Sequence, residues 1–121
     1  MIPALILAVA VTLSGEAGPL GPEAELAVAK TMANRMADDR WPSDLGGVLD
    51  AYYGRGTPTA TALTYAALLV SAPNVLASEE GYLYVYSDAD RARMGWAKGD
   101  EMYCGRGLCL HCHESGGGGD A

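Results

Sequence analysis

Two short stretches of this sequence carry side chains whose types and spacing suit chemistry. The first is Gly15-Glu16-Ala17, where a carboxylate stands between an apolar run and a glycine–proline turn. Desolvating a charge at the edge of an apolar segment costs free energy. Three roles are therefore open for Glu16: part of a signal-peptide cleavage region, an ordinary solvated loop residue, or a catalytic acid. The second stretch is the cysteine and histidine cluster between Cys104 and His113.

As a catalytic acid, Glu16 would need to be still protonated at the working pH. Burial against apolar groups disfavours the ionised form of a carboxyl group. The apolar run before Glu16 would supply such a wall, and the turn after it would leave one side open for a substrate. The spacing of the other carboxylates does not single out a second catalytic one, and Glu23 suits the start of a helix.

The cluster "CLHCH" matches Cys-x-x-Cys-His, the attachment motif of c-type haem. Cys104, Cys109 and Cys112 with either His113 or His111 would alternatively give the four ligands of a tetrahedral zinc site. Only eight residues follow His113, and four of them are glycine, which is short for a chain that wraps a porphyrin. A Cys104–Cys109 disulfide and three free thiols are the remaining interpretations, and free thiols are the simplest.

The elements that would position these groups give an α+β, mainly helical domain, on the general plan of the lysozyme-like folds. We expect four or five helices and a short two-stranded β element. Apolar periodicity predicts helices over 4–14, from Pro22 to Met36, after a Ser43 cap, and over 60–70 after a Thr57 cap. "GYLYVYS" alternates like a strand, and "GLCLHCHE" is a candidate partner for it.

The apolar N-terminal run has two interpretations. It resembles the hydrophobic region of a signal peptide, but no Lys or Arg precedes it, and it is too short to span a bilayer. We therefore expect a buried first helix. Residues 1–113 would form a single domain, and residues 114–121 a flexible Gly-rich tail.

Composition excludes some classes of partner. Half of the 121 residues are hydrophobic, which indicates a globular chain. The net charge of −7 argues against nucleic acid and against an anionic membrane surface, because both are bound by clustered Lys and Arg. We expect a monomer that binds neither nucleic acid nor membrane.

The stretch from Gly15 to Arg35 resembles the spore-cortex-lytic (SleB-type) cell-wall hydrolases. That family shows a Gly-Glu-Ala motif, a turn, a Glu, a Val-Ala-Val-Ala helix and Asn-Arg. At matching spacing this chain has Gly15-Glu16-Ala17, Glu23, Leu26-Ala27-Val28-Ala29 and Asn34-Arg35. Trp41-Pro42, Gly47-Val48 and Tyr52 or Tyr53 match the next family segment, so the resemblance covers about the first half of the chain. Two later family motifs are replaced here by "YYGRGTP" and "GYLYVYS".

The resemblance implies a lytic transglycosylase that cleaves the β-1,4 bond between N-acetylmuramic acid and N-acetylglucosamine in peptidoglycan. Glu16 would be the catalytic residue, and no cofactor would be needed. Tyr53, Tyr84 and Tyr86 are candidate substrate contacts, because aromatic faces pack on sugar rings. Such a protein would act on the bacterial cell wall by an export route that is unknown. For a phage protein, holin-type release or virion packaging would fit.

Other side chains have supporting roles in this hypothesis. Trp41 and Trp96 would be core or rim anchors. Asn34 and Arg35 would either brace the active-site loop or form a solvated helix end. The alternative function is a small zinc or haem c protein that uses Cys104, Cys109, Cys112 and His113.

Overall fold

A computed structural model of the protein describes residues 3–40, 42–52 and 54–77, together with the backbone of three strands at 84–87, 101–105 and 108–111. Helices dominate these residues, so the prediction of a mainly helical chain is confirmed. In chain order the elements are α1 (Ala4–Ala17), a 3-10 helix (Gly18–Leu20), α2 (Pro22–Met36), α3 (Leu45–Leu49), α4 (Ala60–Ser71), α5 (Pro73–Leu76), β1 (Tyr84–Ser87), β2 (Glu101–Gly105) and β3 (Leu108–His111).

Helix α1 continues through Gly15, which was predicted to end it, and ends before Gly18-Pro19, as predicted. Gly15 and Gly18-Pro19 are poor helix formers, which placed the expected end near residue 14. The helix ends only at Ala17, because the chain before α4 packs directly on Gly15 and offsets its poor propensity. Glu16 therefore lies in the last turn of a helix, and the interpretation as a loop residue is wrong.

Helix α2 begins and ends at the predicted residues, with Pro22 in its first position. Ala29 and Ala33 are buried, while Leu26 and Met36 are only partly buried.

The caps of α3 and α4 lie one or two residues beyond the predicted ones. Asp44 caps α3 in place of Ser43, and Thr59 caps α4 in place of Thr57. Each side chain accepts a hydrogen bond from a backbone N–H three residues further on, at 3.0 Å in both helices. Neighbouring polar residues have similar capping strength, so local chemistry does not choose between them.

Helix α1 is part of the core, as predicted for the apolar N-terminal run. It packs against both α2 and α4, and Val9, Ala10, Leu13 and Ala17 are completely buried. The other large contributors come from α2, α3 and α4: Val28, Met32, Leu45, Val48 and Leu69. None of the helices in the described part of the chain combines the length and the apolar character that crossing a membrane requires.

The three strands form an antiparallel sheet in the order β1-β3-β2. The Tyr-rich segment pairs with the Cys-rich segment, with Tyr84 opposite His111 and Tyr86 opposite Cys109. The sequence predicted only two strands; β2 is a third, and its pairing with β3 has an irregular register between Glu101 and Tyr103.

Candidate active site

The carboxyl group of Glu16 is held by a backbone hydrogen bond at the end of α1. The N–H of Gly54 donates to Glu16 Oε2 at 2.6 Å, and the Glu16 side chain is partly exposed. The arrangement fixes one carboxyl oxygen and leaves the group accessible from solvent.

Glu16 owes its position to a contact between two glycine backbones. A Cβ added to Gly15 would lie well under 3.0 Å from the backbone of Gly54 and Arg55. A Cβ added to Gly54 would lie 2.5 Å from the Glu16 nitrogen. Side chains at these two positions would therefore push the chain before α4 away from α1. This explains a glycine in the last turns of a helix, directly before the candidate acid.

Residues 54–59, which we call the crossing segment, are bound to α1 at three points. Besides the Gly54 bond to Glu16, Gly56 N–H donates to the Val11 carbonyl oxygen at 2.9 Å. Thr59 N–H donates to Ser14 Oγ at 3.1 Å. The crossing segment thus runs along the last turns of α1, with one anchor on the candidate acid itself.

Tyr52 connects Glu16 with the buried part of α2. The phenol is 6% exposed, its oxygen lies 2.7 Å from Thr31 Oγ1, and the Arg35 guanidinium carbon lies 5.4 Å from the ring centroid. Burial raises the pKa of Tyr52; the charge of Arg35 and the hydrogen bond with Thr31 oppose this rise, and the charge of Glu16 adds to it. Glu16, Tyr52 and Arg35 therefore belong to one electrostatic neighbourhood.

Asn34 and Arg35 are both buried, at 7% and 9% exposure. The interpretation of these residues as a solvated helix end is therefore wrong. Arg35 stacks on Tyr52. It therefore supports Tyr52, which lies two residues before the crossing segment. This placement is compatible with the expected bracing role near the site.

A buried carboxyl group on α2 went unnoticed in the sequence. Glu25 is 1% exposed and accepts hydrogen bonds from the hydroxyl groups of Thr59, at 2.6 Å, and Thr61. A first-turn Glu is normally explained by the helix dipole. The available signal was that Glu25 shares one helical face with Val28, Ala29 and Met32, at spacings of three, four and seven residues.

A shallow, largely apolar groove of about 410 Å³ runs along the outer face of α1. Its lining consists of Ala4, Leu7, Ala8, Val11, Thr12, Leu49 and Arg55. Glu16 does not line this groove and lies one helical turn beyond Thr12. The candidate acid is therefore next to the groove and not on its floor.

The structure describes the other predicted substrate contacts to different extents. Tyr84 and Tyr86 lie in β1, of which the structure describes the backbone. Tyr53, Trp41 and Trp96 lie outside the described residues. The roles of Tyr53, Tyr84 and Tyr86 as sugar contacts therefore stay predictions.

The Cys/His cluster is only partly described. Cys104 and Cys109 stand directly opposite each other in the β2–β3 ladder. Opposed residues in an antiparallel pair have Cα atoms about 4.5–5.5 Å apart, within the range that a disulfide spans. Cys112 and His113 lie outside the described residues, so the zinc and haem hypotheses stay predictions. Among the residues whose side chains are described, no group of three or more metal-ligating side chains is found.

Comparison with known proteins identifies no relative of this chain. No protein family matches the sequence, no curated protein resembles it closely enough to count as a match, and no solved structure matches the fold.

Proposed function

We propose that this chain is a peptidoglycan-cleaving glycosidase of the lytic transglycosylase type, with Glu16 as its single acid and base. The observation that carries the proposal is the carboxyl group of Glu16, which lies in the last turn of α1, accepts a hydrogen bond from Gly54 N–H and stays partly exposed. The other residues of the Gly-Glu-Ala…Asn-Arg pattern support it. Gly15 makes the close backbone contact, and Asn34 and Arg35 are buried nearby on α2.

The hydrogen bond from Gly54 suggests which oxygen carries the proton. In a neutral carboxyl group the carbonyl oxygen is the better acceptor, so Oε2 would accept from Gly54 and Oε1 would bear the hydrogen. Glu16 Oε1 then protonates the glycosidic oxygen as its bond to C1 of the muramoyl residue breaks. The C6 hydroxyl attacks C1, and the Glu16 carboxylate takes up the hydroxyl proton. The products are a 1,6-anhydro sugar and a free glucosaminyl end, and no water is consumed.

A mechanism with one carboxyl group agrees with the surroundings of Glu25. A hydrolase would need a second carboxylate about 5–9.5 Å from the acid. Glu25 is 1% exposed, and both of its oxygens accept hydrogen bonds from threonines. It is therefore not placed to activate a water molecule or to attack a sugar.

The test is digestion of purified peptidoglycan followed by mass spectrometry of the released muropeptides. We expect anhydro-muropeptides from the wild type and a loss of about 10²–10⁴-fold or more in Glu16→Gln, the usual contribution of a general acid. Glu23→Gln is the matched control, because it makes the same chemical change at an exposed residue of α2. Full cleavage by a folded Glu16→Gln variant would refute the proposal. Reducing ends in place of anhydro ends would make the enzyme a hydrolase.

The proposal places the substrate in the bacterial cell wall. The glycan strand would meet the exposed side of Glu16 at the end of α1. Delivery to the wall would follow secretion or, for a phage protein, lysis or carriage in the virion.

A further inference from the structure

Glu25 forms a buried link between α2 and the start of α4. Its Oε2 accepts from Thr59 Oγ1 at 2.6 Å, and its Oε1 accepts from Thr61 Oγ1. A carboxyl group that is 1% exposed is costly to bury unless hydrogen bonds satisfy it. Each hydroxyl is therefore strongly held, and Glu25 with Thr59 and Thr61 forms a unit that we call the Glu25 clasp.

The Glu25 clasp shares one residue with the crossing segment. Thr59 donates its hydroxyl to Glu25, donates its N–H to Ser14 Oγ on α1, and accepts from Ala62 N–H as the cap of α4. These bonds fix Thr59 relative to three helices at once. Thr59 is also the last residue of the segment whose first residue, Gly54, binds Glu16.

The crossing segment is short, and the hydrogen bond from Gly56 to Val11 in its middle couples the position of Thr59 to that of Gly54. Only four residues separate Gly54 from Thr59, and one of them, Gly56, is bound to Val11. The close backbone contact at Gly15 leaves the segment no room to move toward α1. A displacement of Thr59 would therefore change the distance between Gly54 N–H and the Glu16 carboxyl group.

We propose that Glu25 is a positioning residue for Glu16. The Glu25 clasp fixes Thr59 and, through the crossing segment, sets the Gly54 N–H that orients the carboxyl group of Glu16. The effect on catalysis depends on the proposed function, whereas the effect on Gly54 does not. A misplaced acid loses transition-state contact more than substrate binding, so kcat falls and KM changes little.

The test compares threonine variants on α4. Thr61→Val removes one donor of the Glu25 clasp while leaving the Thr59 cap intact, and Thr61→Ser restores the hydroxyl. Thr64→Val is the matched control, because Thr64 is exposed on the same helix and its hydroxyl donates only to the Ala60 carbonyl oxygen, at 3.2 Å. The readouts are the Gly54 amide resonance in a ¹H–¹⁵N NMR spectrum, and kcat and KM on peptidoglycan fragments.

We expect the Gly54 amide proton to move upfield in Thr61→Val, since its hydrogen bond lengthens, and to stay at its wild-type position in Thr64→Val and Thr61→Ser. We expect kcat of Thr61→Val to fall about tenfold or more at nearly constant KM. An unmoved Gly54 resonance in Thr61→Val would overturn the positioning role, even if the thermal midpoint fell. If Glu16→Gln keeps its activity, the proposed function fails while the NMR result still decides the role of Glu25.

Discussion

At the scale of single residues, Tyr52 shows how the core reaches the candidate site. Thr31 Oγ1 donates to the Val28 carbonyl oxygen at 2.7 Å and lies 2.7 Å from the Tyr52 hydroxyl oxygen. Burial raises the pKa of this phenol and so favours its protonated form, beside Arg35 and within the field of Glu16. The tyrosine that interacts with Glu16 is the buried Tyr52, whereas the sequence favoured its neighbour Tyr53 as a substrate contact.

Tyr52→Phe is expected to change how stability depends on pH. Burial raises the pKa of Tyr52 above the ordinary value of 10.0. Its stabilising contribution is complete below that value and is lost as the pH rises through the raised pKa, because the unfolded chain releases the proton first. Near pH ~8 the variant should unfold about 0.5–1.5 kcal/mol more easily, the value of one hydrogen bond.

Urea unfolding of wild type and Tyr52→Phe at about pH 8 and about pH 11 checks this prediction. The stability advantage of the wild type should shrink at the higher pH. Because the other tyrosines titrate in both proteins, only the difference between the two is informative. A difference that is independent of pH would contradict the raised pKa.

At the scale of elements, the contact of the crossing segment with α1 governs the site. The sequence did not predict the contact between Gly15 and Gly54, because propensity is a local property and this contact joins positions far apart in the chain. For the same reason Thr57 was chosen as the cap in place of Thr59, whose hydroxyl also reaches Glu25. The ends of α2, which Pro22 and the loop after Met36 mark locally, were predicted correctly.

Gly15→Ala tests this contact directly. In an isolated helix alanine is better than glycine by about 1 kcal/mol. Here the added Cβ would meet the backbone of Gly54 and Arg55 well under 3.0 Å, so we expect a loss of about 1–3 kcal/mol or more in the free energy of unfolding.

Gly18→Ala is the matched substitution, three residues further on. Its Cβ would lie 3.5 Å or more from its neighbours, so stability should stay within about 0.5 kcal/mol of the wild type. Chemical denaturation of both variants gives the comparison. Equal effects at Gly15 and Gly18 would show that the backbone contact is not tight in solution.

At the scale of the whole molecule, α1 holds the helical part of the fold together. Composition and periodicity predicted a mainly helical chain with a buried first helix, and both features are present. The buried carboxyl of Glu25, the placement of Glu16 within a helix and the third strand were not predicted. The first two depend on contacts between helices that one-dimensional spacing does not contain, and β2 has an irregular register with its partner.

Leu13→Ala measures how far the fold depends on α1. Leu13 is fully buried where α1 packs on α2 and α4, so we expect a loss of about 2–5 kcal/mol. Leu5→Ala is the control, because Leu5 is 42% exposed on the same helix and should change stability by less than about 0.5 kcal/mol. Equal unfolding midpoints for the two variants would show that α1 is not an integral part of the core.

The crossing segment has a practical consequence for protein engineering. It is attached to α1 by the backbone N–H groups of Gly54 and Gly56. The residues that follow each glycine, Arg55 and Thr57, are exposed. Arg55 donates from its guanidinium to the carbonyl oxygens of Tyr52 and Gly54, so a saturation library at Thr57 would vary the surface of the crossing segment while keeping these bonds. Under the proposed function, laboratory evolution of a new glycan preference would therefore begin at Thr57, with both glycines and Arg55 held constant.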